Sequence, residues 1–165
     1  MHPRRLLLTG VLAGVLVLPG AAFAQVPGYK GGDARQLLAE YRAEILGQLN
    51  QAMETWGRAW SEDDVEGLVD LYAEDATVFV HGKDPIRGQD AIRAHFGETL
   101  PTLGAADAFL LDFDASGGMA MAHSNYTIEV QSGPGRGTRL AGPMITVYVQ
   151  RGRAWRIRSQ AFLGR

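Results

Sequence analysis

From about residue 106 onward the apolar residues of this chain change their spacing from helical steps to strict alternation. AFLLDFD, MAMAHSNYTIEV, RLAGPMITVYVQ and AWRIRSQAFL each alternate, and glycine-bearing turns separate them. Alternation is the mark of a half-buried strand, so the four runs predict four strands joined as an antiparallel meander. A sheet of that kind has one greasy face that must be covered, and the cover lies upstream. Behind a helix N-cap at Asp33, residues Leu38, Tyr41, Ile45, Leu49, Ala52, Trp56 and Trp60 form one apolar stripe. The stripe predicts a helix of roughly 40 Å, which Gly47 and Gly57 weaken. Ser61 and the acids at 62–64 start a short helix, in which Val65, Leu68 and Tyr72 share a face. Residues 76–81 predict a strand, HGKDPIRG a turn, and GQDAIRAHFGETL a third helix with Ile92, His95, Phe96 and Leu100 on one side. Helices segregated to one face of an antiparallel sheet define an α+β fold.

The first two dozen residues stand apart from this domain. MHPRR is positively charged, LLLTGVLAGVLVL is apolar, and Ala22-Phe23-Ala24 has the small-x-small form of a cleavage site. The stretch predicts a secretory signal peptide, 1–24, cut after Ala24, and so a periplasmic or secreted protein. Residues 25–32, QVPGYKGG, predict a flexible leader, and 33–165 a single domain. The chain has no cysteine, which excludes disulfides and a lipid-bearing cysteine. Beyond the signal there are 14 basic and 18 acidic side chains. That balance gives no reason to expect nucleic acid or, after cleavage, a membrane surface as partner. Arginines 151, 153, 156 and 158 read as a solvated strand face.

LYAEDATV, PIRGQDAIRAHF and RAWRI together resemble the nuclear transport factor 2-like superfamily, in its SnoaL-like polyketide-cyclase and ketosteroid-isomerase-like branch. The resemblance covers roughly residues 50–163. It implies a cone-shaped α+β barrel, with the long helix and short helices packed in a strongly curved sheet. It also implies a pocket at the wide end and a homodimer formed through the outer sheet face. In the ketosteroid isomerases one Asp shuttles a proton, while a Tyr and a protonated Asp donate to an oxyanion, an arrangement that is a standard case of pKa tuning. Counted from the shared YAEDATV motif, those three positions fall on Val80, Trp56 and Thr146. A valine accepts no proton, so that mechanism is not expected here.

With Ala76, Val78 and Val80 on the core face, the pocket wall follows by alternation. Trp56 and Trp60 come from the helix stripe and His95 and Phe96 from the third helix. Ser124, Tyr126 and Ile128, then Met144, Thr146 and Tyr148, then Ser159, Ala161 and Leu163 come from the last three strands. An apolar hollow with a few polar tips is what a ligand site requires. His95 is the candidate acid or base, because an imidazole titrates near neutral pH. The alternative is a histidine satisfied by Tyr126 or a backbone carbonyl. Trp56, Trp60, Val80, Phe96, Tyr126, Met144, Thr146 and Tyr148 are the candidate ligand contacts, and the aromatics among them equally suit a core. His81, His95 and His123 have no metal-ligand spacing with Asp84 or Asp112, so no metal or other cofactor is expected. SGPGRGT reads as a hairpin turn rather than a phosphate cradle.

Three functions fit this reading. One is a domain that binds a small, largely apolar molecule in the cone. Another is a cofactor-independent isomerase or cyclase using His95. The last is a homodimerising interaction domain whose cone is filled by its own side chains. A cavity below ~300 Å³ would leave no room for a substrate-sized ligand and favour the filled cone.

Overall fold

The structure, a computed structural model, describes residues 31–164. The signal peptide, its cleavage point and residues 25–30 of the leader lie outside them. Helix α1 runs Gly31–Ser61, α2 Val65–Val69 and α3 Gln89–Thr99, followed by a 3-10 turn at Leu100–Thr102. The strands are β1 Tyr72–Val80, β2 Ile86–Arg87, β3 Leu103–Ser116, β4 Met119–Val130, β5 Arg139–Arg151 and β6 Ala154–Phe162. Of the described residues, 31–39 fall in one unit and 40–164 form the body that carries the sheet.

The six strands form one curved, unclosed sheet in the order β2-β1-β6-β5-β4-β3. The expected meander of four strands is there, β3 to β6, antiparallel throughout. Beside it β1 pairs parallel with β6 and antiparallel with β2, so the sheet is mixed. Two boundaries differ from the sequence reading. β1 begins at Tyr72, where a helix end was expected, and Ile86–Arg87 pairs with Thr77 and Val78 inside the expected turn. Strand pairing with a neighbour far along the chain overrides the local signal in both places.

Within the body α1 buries Ile45, Leu49, Met53, Trp56 and Trp60, spaced by three or four residues as the stripe requires. Gly57 serves close approach. A Cβ there would stand 3.2 Å from the carbonyl oxygen of Ala106, so the helix lies close on β3. Trp155 fastens β6 to the helix by donating from Nε1 to Gln48 Oε1 at 2.6 Å. Asp64 caps α2 by accepting from the Gly67 amide at 2.9 Å. Gly88, at φ 78°, makes the turn between β2 and α3 that other residues would resist. Gln89 then donates to the Tyr72 carbonyl at 2.9 Å, and Ile92, Phe96 and Leu100 face inward.

One irregularity decides which residues of β6 point inward. Val147 pairs with Ser159 but the next residue, Tyr148, pairs with Ile157, leaving Arg158 as an extra residue. This β-bulge shifts the phase of the strand. Gln160 and Phe162 are therefore buried, while Leu163 is exposed, the reverse of plain alternation. Arg158 itself reaches Asp75 on β1, donating to its carbonyl at 2.6 Å and pairing with its carboxylate at 3.3 Å. Arg156 donates to the Asp70 carbonyl. Arg158 thus ties β6 to β1 and Arg156 ties it to the end of α2, rather than standing free in solvent.

Candidate functional site

At one end of β1, β5 and β6 lies a cavity of about 230 Å³. Trp60 of α1, Val80 of β1, Phe96 of α3, Tyr126 and Ile128 of β4 and Phe162 of β6 make its walls, and Leu103 and Leu140 complete them. The rings pack edge to face: Tyr126 on Phe162 at 5.1 Å and 90°, Trp60 on Phe96 at 5.4 Å and 72°. Such contacts hold aromatic walls in defined places. The rim is polar, with Lys83, His95, Thr99 and Thr102. Among the described residues, no Asp or Glu lines the cavity.

His95 is half-buried and faces this space beside Phe96, their ring centroids 5.5 Å apart. Desolvation lowers its pKa below the usual imidazole value, the nearby Lys83 charge lowers it further, and Glu98 opposes both. The imidazole is thus held neutral near pH 7, with one nitrogen able to accept and the other to donate. Its own carbonyl accepts from Thr99 Oγ1 at 2.8 Å, and that hydroxyl is spent there. The ring bonds neither Tyr126 nor a backbone carbonyl among the described residues, so the satisfied-histidine alternative has no bond behind it. Burial raises the Tyr126 phenol, and the Gly164 backbone amide opposes the rise.

Of the nine residues expected at the site, Trp60, Val80, His95, Phe96 and Tyr126 line the cavity. Trp56, Met144, Thr146 and Tyr148 lie deeper, in a closed core that the cavity does not reach. There Tyr72 donates its hydroxyl to Gln160 Oε1, and Gln160 Nε2 faces Met144 Sδ at 3.3 Å and Thr146 Oγ1 at 3.4 Å. Burial pushes the phenols of Tyr72 and Tyr148 well above their ordinary range. The Trp56 N–H opposes this at Tyr72, although it completes no hydrogen bond, and the Trp60 N–H is likewise unpartnered. The sequence reading missed Phe162 and Gln160 because of the Arg158 bulge. Lys83 and Thr102 were missed because turns carry no periodic signal, whereas Thr99, four residues after His95 on α3, was open to helical spacing. Ser159 and Ala161 sit half-buried, outside the cavity lining.

A wider cleft of about 670 Å³ opens at the other end of the same strands, between Asp70, Glu74, Asp75, Gln89, Arg151 and Arg156. Several of its polar groups already bind the protein: Arg156 holds the Asp70 carbonyl, Gln89 the Tyr72 carbonyl, and Asp75 pairs with Arg158. The apolar cavity with unspent polar groups is the better ligand site. No group of three or more metal-ligating side chains occurs among the described residues.

A curved sheet wrapped on a long helix, with an apolar hollow between them, defines a cone-fold protein of the nuclear transport factor 2-like superfamily. Residues 53–157 match the SnoaL-like domain, and the chain belongs to that family. No curated protein sequence matches it. Solved structures share the fold at low identity. A protein of unknown function from Mycobacterium tuberculosis is similar at a TM-score of 0.65 and 18% identity, over 78% of this chain and 75% of that one. A ketosteroid isomerase-like protein from Erwinia carotovora atroseptica gives 0.62 and 16%, over 72% and 94%. A structure from Novosphingobium aromaticivorans, provisionally assigned as a scytalone dehydratase, gives 0.68 and 15%, over 77% and 88%.

Proposed function

We propose that this SnoaL-like protein is exported to the periplasm or beyond and holds a small, largely apolar molecule in the cone, without isomerase chemistry. The observation that carries the reading is an aromatic-walled cavity of about 230 Å³ with no carboxylate on its wall. The residues at the three isomerase positions support it: Val80 lines the cavity, while Trp56 and Thr146 are buried beneath it. None of the three supplies a base. The volume also narrows the ligand. It falls short of the ~300 Å³ that drug-sized ligands need, yet an apolar hollow of ~150 Å³ is enough for benzene. A molecule of roughly ten to twelve non-hydrogen atoms fits at ordinary packing density.

The same volume favours a second reading, an interaction domain whose cone is mostly filled by Trp56, Trp60, Tyr72 and Phe96. A homodimer through the outer sheet face accords with either. Phe109, Leu111, Met119 and Met121 are exposed there, next to half-exposed Ile145 and Val147. The test is to purify the mature protein natively and identify co-purified small molecules by mass spectrometry. The binding reading expects one compound in this size range, recovered unchanged from the wild type and from His95→Ala. Turnover by the wild type that His95→Ala abolishes would establish the enzyme instead. An empty cone that no small apolar compound enters would leave the interaction domain.

A further inference from the structure

Resting on that reading, we infer that the molecule in the cone is an anion, an aryl carboxylate whose ring lies among Trp60, Phe96, Tyr126 and Phe162 and whose carboxylate meets Lys83 at the rim. Among the described lining side chains, the only formal charge is the Lys83 ammonium. Lys83 makes no ion pair or side-chain hydrogen bond with the described residues, whereas each of the four ion pairs there lies elsewhere. The other rim donors are partly spent. Thr99 gives its proton to the His95 carbonyl and Thr102 gives its own to the Thr99 carbonyl, both at 2.8 Å. That leaves the ammonium and one imidazole N–H as free donors at the rim, beside the unpartnered Trp60 N–H and the Tyr126 hydroxyl in the walls, with no acid among the described lining residues.

Lys83 and His95 line the same cavity, and the lysine charge acts on the imidazole. Glu98, next to the rim but not lining it, is exposed and is the one carboxylate felt by His95. A neutral ligand would leave the ammonium to water at no gain. A cationic one would meet it as a like charge. A carboxylate accepts from it in a charge-assisted bond while the ring fills the hollow. The aromatic walls prefer a flat ring over a flexible alkyl chain, because ring edges and faces pair with them.

The test uses trans-cinnamate and its neutral isostere cinnamamide, titrated calorimetrically into the mature protein at low salt. Wild type should bind cinnamate roughly five-fold more tightly, the size expected for a partly exposed ion pair. Added salt should shrink that ratio. In Lys83→Met the ratio should fall to about one. Equal affinities in the wild type, or a preference that persists in Lys83→Met, would overturn the anion while leaving the cavity a binding site. Binding of neither compound would overturn the cavity reading and the anion with it.

Discussion

Replacing Tyr72 by Phe and Gln160 by Leu, singly and together, separates the closed polar core from the cavity above it. Tyr72 is 1% exposed and Gln160 is 1% exposed, so neither can turn to water when its partner is lost. Tyr72→Phe orphans the Gln160 carbonyl oxygen, and Gln160→Leu orphans the Tyr72 hydroxyl. Each change should cost about 1–3 kcal/mol, the penalty for stranding a buried polar group. Gln160 Nε2 also donates to the weak acceptor Met144 Sδ at 3.3 Å and, more distantly, to Thr146 Oγ1 at 3.4 Å, bonds that Gln160→Leu loses as well. The double variant buries two apolar groups of similar shape and strands neither. Its cost should therefore fall short of the sum by about 1 kcal/mol or more. Urea unfolding followed by tryptophan fluorescence and circular dichroism gives the three values. In a body of this size, 1 kcal/mol corresponds to a melting shift of roughly 3–5 °C. Additive costs, or single variants within about 0.5 kcal/mol of wild type, would refute the coupling.

Further outcomes are expected from the same structure. Tyr72 and Tyr148 keep their protons in the fold above the pKa of ~10 at which the unfolded chain loses them, so stability should fall as pH rises past 10, by up to about 2.7 kcal/mol per unit. Tyr148→Phe should roughly halve that slope in unfolding curves. His95 behaves in the opposite sense. Its folded pKa is depressed, so stability should drop as pH falls through ~6.5, where the unfolded imidazole begins to take up a proton. His95→Gln should flatten that limb, and an unchanged limb would place the titrating group elsewhere. For the proposed dimer, Val147→Lys on the outer face should convert dimers to monomers in sedimentation analysis without changing the circular dichroism spectrum. A wild type that is already monomeric would remove the sheet-face interface.

Most of the fold is legible because its periods are long and unbroken. The α1 stripe, the α3 face and the alternation of β4 and the inner half of β5 each place their buried residues by spacing alone, Leu49, Phe96, Tyr126 and Thr146 among them. Legibility fails where a contact from far along the chain outweighs the local signal. The bulge at Arg158 is one such place, since nothing in AWRIRSQAFL announces an extra residue, and it exchanged Phe162 for Leu163. The start of β1 is another, because the Tyr72 backbone pairs with Ile157 far along the sequence. For the candidate site, periodicity found the right faces but not their depth. Thr146 and Tyr126 both point inward, yet Trp56, Tyr72 and Phe162 divide the interior into a sealed core and an open hollow. That division depends on side-chain volume in three dimensions, which spacing does not encode.

The most direct measurement is calorimetric titration of cinnamamide into wild type and Val80→Phe, a substitution that fills part of the hollow. A ligand of this size in a cavity of about 230 Å³ should bind the wild type with a dissociation constant on the order of 0.1–1 mM. Val80→Phe should weaken that affinity at least about ten-fold while its circular dichroism spectrum stays native, since the added ring takes the ligand's space. Equal affinity in the two proteins would mean that the molecule binds somewhere else.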